Sequence, residues 1–313
     1  MYYFIWNPAA GKGESEKVLP VVESFMKKRG LPYTLLKTER PGHAAELAEK
    51  AVKSRDTAAV VAIGGDGTVT EAASGMVDAE VPLACIPLGN GNDYMSNFIN
   101  LKKYKSAEEK TKRCLEVLIS GRRQMVDMIS VNGSYALNIG NIGLDADVAD
   151  YGTRLKHVFG SMSYVIAMIK SIFTYRPLSA SVTVDGVKRQ GLFTLIAVCN
   201  GARYGGGFVI APQARVDDGK LTLCMVDRIP RLKILVLFPL VLMGGRHTRL
   251  KEVTFVSCEQ VKIEYEGTEK MCLDGNIHRW RGPVSFVSLP AALEMIAETG
   301  ALKQVNNKNA GRV

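Results

Sequence analysis

Apolar and polar positions change period several times along the first third of the chain. Residues 2–6 form a short aromatic and apolar run closed by Asn7-Pro8, which predicts a strand followed by a turn. Residues 14–29 repeat at helical spacing, with Val18, Val21, Val22, Phe25 and Met26 on one face and Gly30 as the stop. A strand over 33–37, a helix over 43–53 and a β-branched run over 57–63 come next. That last run is long enough only for a buried strand. Helix formers resume after Thr68, then a strand over 83–86 and a charged amphipathic helix over 106–120. Strands alternating with helices predict an open parallel sheet with helices on both faces, an α/β domain over residues 1–127.

Beyond about residue 125 the pattern is short strands separated by turn dipeptides: Asn132-Gly133, Asp185-Gly186, Asp218-Gly219 and Glu266-Gly267. This predicts an antiparallel β sandwich or barrel over 128–289. Two helices interrupt it, one over 153–174 and one over 234–243. The first carries the stripe Leu155, Val158, Phe159, Met162, Val165, Ile166, Ile169 and Phe173. It reads as core packing or as a helix that meets acyl chains. A final helix over 291–298, within a C-terminal stretch 290–303, is expected to fold back onto the first domain, and the tail after Lys303 to fray.

Composition narrows the class. The 313 residues are 47% apolar and 23% charged, a globular balance that excludes disorder and a polytopic membrane protein. Forty basic against 31 acidic residues give a formal charge of +9, which favours an anionic partner. No basic-aromatic interleaving points to nucleic acid. The six cysteines are scattered without a CxxC and are expected to be buried and reduced. The N-terminus lacks the pattern of a signal peptide. The longest apolar run, 234–243, is ten residues and holds Pro239, against about 20 needed to span a bilayer. A cytoplasmic protein is expected.

Three glycine-rich turns follow strands: Asn7-Pro8-Ala9-Ala10-Gly11-Lys12-Gly13, Gly64-Gly65-Asp66-Gly67-Thr68, and Pro87-Leu88-Gly89-Asn90-Gly91-Asn92-Asp93. Ligands of open α/β sheets bind at that edge. Glycine lets backbone approach a phosphate, and the helix behind offers N–H groups and a partial positive charge. Neither GxGxxG nor GxxxxGK[ST] is present. Asp66 reads either as a helix cap or as a functional carboxylate that faces a metal or takes a proton.

These blocks resemble the diacylglycerol-kinase-like lipid kinases, a group that includes sphingosine and ceramide kinases and bacterial lipid kinases. GGDGT at 64–68 is shared with NAD kinases and, more loosely, with phosphofructokinases. The resemblance extends to NPxxGxG at 7–13 and IPLGxGND at 86–93. In the second half it takes in NIGNIGLD at 138–145, NGARYGGG at 200–207, the P-x-A-x-x-DDGxL segment ending at Leu221, the GRH at 245–247 and Leu273-Asp274-Gly275. It covers about residues 2–290 in order. It implies ATP-dependent phosphorylation of a lipid hydroxyl such as that of diacylglycerol. ATP is then expected in a cleft between the α/β domain and the β sandwich.

Carried onto this sequence, Asn7, Pro8, Ala9, Ala10 and Gly11 line the phosphate and ribose region. Thr38 contacts the nucleotide, and Gly64, Gly65, Asp66, Gly67, Thr68, Val69 and Thr70 cradle phosphates. Asp66 acts on the nucleotide's metal or on the acceptor hydroxyl. Asn90 stands where the family usually has threonine. By the same resemblance, Asp218 and the carbonyls of Arg215 and Lys220 hold a structural Mg²⁺; the alternative is an Asp-Gly turn with no metal. The implied partners are a lipid substrate and the anionic inner face of the membrane, with peripheral attachment, and a homodimer stays open.

One departure stands out. The family's Asp-Gly-Glu, whose glutamate is assigned as the base, is Asp274-Gly275-Asn276 in this chain. An amide accepts no proton at neutral pH. Three readings remain: Asp274 or Asp66 supplies the base, the reaction needs little base assistance, or the protein is a weak or inactive nucleotide- and lipid-binding regulator. His278 is a nearby substitute. A soluble kinase of the NAD-kinase type is the other rival.

Overall fold

A computed structural model describes residues 1–89, 91–159, 163–242 and 245–301, without the side chains of residues 12, 153, 156–165 and 237–244. Asn90, Met162 and the tail after Lys303 lie outside the described residues, and the stripe positions Val158, Phe159 and Val165 are described in backbone only. The chain divides into two compact units, Met1–Met128 with the segment that begins at Pro290, and Ile129–Leu289.

In the first unit β1 (Tyr2–Trp6), α1 (Glu14–Lys28), β2 (Tyr33–Lys37), α2 (His43–Val52), β3 (Ala59–Gly64), α3 (Asp66–Ser74), β4 (Leu83–Pro87) and α4 (Ala107–Ser120) follow in order. The strands lie in the order β2-β1-β3-β4, all parallel, with Tyr2 opposite both Tyr33 and Ala59, and Val60 opposite Leu83. Every residue of β3 is buried, as its unbroken apolar run requires. Helix α1 packs with α4, and α2 with α3. Small side chains set the second contact: a Cβ on Gly75 would come within 2.1 Å of the Ala45 carbonyl. The N-cap Ser106 and Glu109 form a reciprocal capping box that starts α4.

The segment read as a final helix is a strand. Its residues, Ala-Ala-Leu-Glu-Met-Ile-Ala, favour helix by propensity. The open edge of β4 competes for them: Met295 pairs with Leu83 in parallel, and Asp78 N–H donates to the Ala292 carbonyl. Ion pairs Arg123–Glu294 and Arg113–Glu298 hold the segment further. Satisfying a buried sheet edge outweighs a propensity difference of a few tenths of a kcal/mol per residue, about the size of the intrinsic scale.

The second unit takes the end of β5 (Arg122–Val131), β6 (Ser134–Ala136), β7 (Ile139–Gly143), α5 (Leu144–Phe159), α6 (Ser163–Thr174), β8 (Leu178–Val184) and β9 (Val187–Cys199). It continues with β10 (Arg203–Tyr204), β11 (Phe208–Val209), β12 (Leu221–Asp227), α7 (Arg231–Leu242), β13 (Val253–Cys258), β14 (Gln260–Tyr265), β15 (Thr268–Leu273) and β16 (Asn276–Arg281). The first part of β17 (Val284–Ala297) completes it. The pairings are antiparallel, and they wrap an apolar core that includes Phe193, Ile196, Val261, Met271 and Phe286.

Two of the four turn dipeptides close two-residue hairpins with both residues at positive φ, Asn132-Gly133 between β5 and β6 and Asp185-Gly186 between β8 and β9. Glu266-Gly267 instead joins β14 to β15, which pair with other strands. The helix expected over 153–174 is two helices, α5 and α6, and the first begins at Leu144 because Asp145 and Asp147 suit its first turn. All six cysteines are buried and unbridged.

Candidate functional site

The three glycine turns of the first unit come together at the C-terminal ends of the parallel strands. Asn7 is the seam. Its N–H donates to the Ile63 carbonyl (3.1 Å), its Nδ2 donates to Thr68 Oγ1 (3.1 Å), and its Oδ1 accepts the Ala9 N–H (2.9 Å). Leu88 N–H donates to the Gly64 carbonyl (2.8 Å), which joins the second turn to the third. Glycine is needed where these backbones touch. A Cβ on Gly89 would sit 2.9 Å from Gly65 Cα, and one on Gly11 2.8 Å from the Leu88 carbonyl oxygen. Thr38, buried just past β2, donates its N–H to the Trp6 carbonyl at the same edge.

Asp66 is the first residue of α3, and the N-cap position belongs to Gly65. The capping reading of Asp66 is therefore replaced by another. Its Oδ2 accepts the Asn92 N–H at 3.0 Å, so the carboxylate ties the GGDGT turn to the third glycine turn. Asn92 is itself held in a left-handed conformation (φ 51°), with its amide bonded both to the N–H and to the carbonyl of Gly89. The first helical bond of α3 runs from Val69 N–H to the Gly65 carbonyl. The N–H groups of residues 66–68 thus precede the helical ladder, at the positive end of the helix. Thr68, Val69 and Thr70 are buried behind them. This edge can bind an anion, and it presents one carboxylate beside it. Sequence reasoning overlooked Asn92 as the partner of Asp66; its place after Gly-Asn-Gly was the available signal.

In the second unit, Asp274-Gly275 is the two-residue turn of the β15–β16 hairpin, with φ 46° and 87° and Leu273 opposite Asn276. Asp274 is only 9% exposed. Its Oδ2 accepts the Leu137 N–H (2.6 Å), and its Oδ1 accepts the N–H groups of Asn138 (3.0 Å) and Ile139 (2.8 Å). Both oxygens are committed to backbone donors. These bonds make Asp274 an anchor for the 137–139 segment. Asn200 Nδ2 donates to the Leu137 carbonyl and Asn138 Nδ2 to the Arg203 carbonyl, so the asparagines of two sequence motifs brace the same turn. Asn276 is exposed and opens β16. His278 lies two residues on, and burial lowers its pKa below the usual histidine value.

Asp218 sits on an exposed turn, where its Oδ1 accepts the Lys220 N–H (3.1 Å) and Ser288 Oγ donates to the Gly219 carbonyl. Among the described residues there is no cluster of three or more His, Cys, Asp or Glu side chains fit to hold a metal. The donors that the resemblance implies here, the Asp218 carboxylate and the carbonyls of Arg215 and Lys220, are oxygens, which suit a hard cation.

Asp145, at the start of α5, is a further buried acid. Asn141 Nδ2 donates to it at 2.7 Å and Tyr204 also hydrogen-bonds to it. The residue as a whole is half-buried, but its carboxyl lies deep enough that burial pushes its pKa up to about 6 from 3.8. The folded state therefore holds this proton more tightly than the unfolded chain. Its stabilising contribution is complete below pH 3.8 and is lost as pH rises through about 6. Asp145→Asn should remove that decline, so thermal melts of the two proteins should diverge across this interval. Parallel melting curves from pH 4 to pH 7 would refute the assignment.

Comparison with known proteins agrees with the fold of both units. Residues 1–131 match the model of the diacylglycerol kinase catalytic domain, and residues 139–297 match that of the YegS C-terminal NAD kinase beta sandwich-like domain. A diacylglycerol kinase of Mycobacterium tuberculosis (strain ATCC 25618 / H37Rv) is 29% identical over 297 residues, covering 93% of each chain. One of Bacillus subtilis (strain 168) is 24% identical over 306 residues, covering 97% of this chain and 98% of its own. A solved structure from Bacillus anthracis str. Sterne has a TM-score of 0.76 at 23% identity, covering 96% of this chain and 98% of its own. An NAD kinase from Archaeoglobus fulgidus in complex with ATP has a TM-score of 0.56 at 12% identity, with full coverage of both. Those two structures share the fold. With both units matched in order, the chain belongs to the diacylglycerol-kinase-like family of lipid kinases.

Proposed function

We propose that the protein is an ATP-dependent lipid kinase that phosphorylates the hydroxyl of diacylglycerol or a related lipid at the inner face of the membrane. The observation that carries this reading is the glycine edge, where three turns are locked around the N-terminus of α3 with Asp66 bridging to Asn92. In this reading the N–H groups of 66–68 and the residues Asn7 to Gly11 hold the nucleotide phosphates, and Thr38 lies at the same edge. Asp66 supplies the negative charge that faces the nucleotide's metal or the acceptor hydroxyl. Mg²⁺ bound with ATP would neutralise phosphate charge, and a second Mg²⁺ held by Asp218 with the carbonyls of Arg215 and Lys220 would stiffen their turn.

The lack of a base at 276 fits phosphoryl transfer, because its loose transition state depends on positioning and charge neutralisation more than on proton removal. With Asp274 committed to three backbone donors, Asp66 is the carboxylate favoured for any assistance. Asn276→Glu should leave activity unchanged or raise it. A loss above about tenfold would show that the amide has a role of its own, since a general base normally contributes about 10²–10⁴-fold.

The test of the reading is incubation with γ-labelled ATP and mixed micelles that hold diacylglycerol, phosphatidylglycerol, a sphingoid base and undecaprenol, with NAD as a soluble acceptor. Label in a lipid supports the proposal. Label in NAD alone replaces it with a soluble kinase. ATP binding without label in any acceptor replaces it with a regulator, the rival that Asn276 motivates.

A further inference from the structure

Helices α6 and α7 of the second unit present apolar side chains to solvent. In α6 these are Ile169 (47% exposed) and Phe173 (54%), and in α7 Leu232 (73%) and Val236 (73%). Spacing explains the exposure. Ile169 and Phe173 are four apart and share one face, while Ala167 and Ile172 turn inward to a buried cluster. In α7, Leu232 and Val236 likewise share a face, and Ile234 enters the same buried cluster. That cluster, joined by Tyr175 and Ile229, already satisfies the inward faces. The outward residues therefore add nothing to the core.

The two exposed faces are neighbours. Arg231 donates to the Tyr175 carbonyl (3.2 Å), and Tyr175 O–H donates to the Ile229 carbonyl (2.5 Å). These bonds tie the end of α6 to the start of α7, so Phe173 and Leu232 flank one junction. The segments that form the junction are basic. The sequence holds no Asp or Glu from 163 to 184 or from 228 to 251. The same segments carry Lys170, Arg176, Arg228 and Arg231, all exposed. An apolar face flanked by these cations, with the nearby acids Asp227 and Glu252 paired to Arg189 and Lys233, fits the headgroup boundary of an anionic bilayer. No helix among the described residues is long and apolar enough to cross a membrane, which leaves shallow insertion as the mode.

We infer that the α6–α7 face is the membrane-docking surface of the protein, with Phe173, Leu232 and Val236 entering the interface of an anionic bilayer and the surrounding arginines meeting lipid phosphates. The inference deepens the lipid-kinase reading and rests on it for its physiological purpose, but the contact itself is separable from turnover.

The experiment is co-sedimentation of the full chain with vesicles of phosphatidylcholine alone or with 30 mol% phosphatidylglycerol. The variants are Leu232→Glu/Val236→Glu and Arg176→Gln/Arg228→Gln. Wild type should bind the anionic vesicles and not the neutral ones. The glutamate pair should lower its partition coefficient by about tenfold or more, given the apolar area withdrawn and the charge added. The glutamine pair should weaken binding and flatten its salt dependence. Binding that survives the glutamate pair overturns the inference. So does a wild-type dimer that the glutamate pair splits while vesicle binding persists, because the face would then belong to a second copy. Patch-dependent vesicle binding with no label in any lipid would keep the surface and reject the kinase reading. Label in micellar lipid with patch-independent binding would reject the surface alone.

Discussion

Asp66→Asn is expected to lower turnover by at least about a hundredfold, equivalent to about 2.7 kcal/mol of transition-state stabilisation, while leaving the fold and ATP affinity close to wild type. The reason lies in the two tasks of this side chain. As a hydrogen-bond acceptor it holds the Asn92 N–H at 3.0 Å and keeps the third glycine turn in place. As a charge it stands at the edge where the phosphates of the proposed nucleotide lie. The amide keeps an oxygen acceptor and removes the charge, so the variant separates the tasks. Asp66→Ala removes both and should also weaken ATP binding, because the contact of Gly65 with Gly89 loses its clasp. Steady-state kinetics with ATP titration checks this. A near wild-type kcat for Asp66→Asn would confine the residue to a positioning role.

Asp274→Ala is expected to cause the largest loss of stability of any single substitution at the site, about 3–5 kcal/mol, the range for breaking a buried, charged hydrogen-bond network. Three backbone N–H groups, of Leu137, Asn138 and Ile139, lose their acceptor at once. Each unsatisfied buried donor costs about 1–3 kcal/mol, with entering water offsetting part of the sum. The backbone adds to the effect, since position 274 has φ 46°, where aspartate is better tolerated than alanine. Asp274→Asn retains an acceptor and the turn preference, and should lose less. Chemical denaturation reads the difference as a lower midpoint. Stability within 1 kcal/mol of wild type together with a hundredfold loss of turnover would contradict the anchoring role and restore a chemical one.

Much of this molecule was legible from its sequence because the signals were local. The period of apolar residues placed α1, α2 and α4, and the unbroken run at β3 implied a strand buried on both faces. The glycine turns were recognisable because close backbone approach restricts the residue type. The C-terminal segment misled for the opposite reason. Ala291 to Ala297 has helical composition, and only the vacant edge of β4 makes it a strand. Likewise, Ile169 and Phe173 belonged to one long apolar stripe in sequence, and the core clusters divide them from the residues that turn inward.

The change from strand–helix alternation to strand–turn repeats, the three glycine turns and the amide at 276 can all be read along the chain. Each is carried by residue identity at short spacing, which a chain states directly. Which groups the two carboxylates meet is set by the folding of each unit. Asp66 reaches a residue 26 positions away and Asp274 reaches three donors more than 130 positions away. A carboxylate's role depends on which donors surround it, and partners at such separations are set by packing of the whole domain rather than by any local pattern.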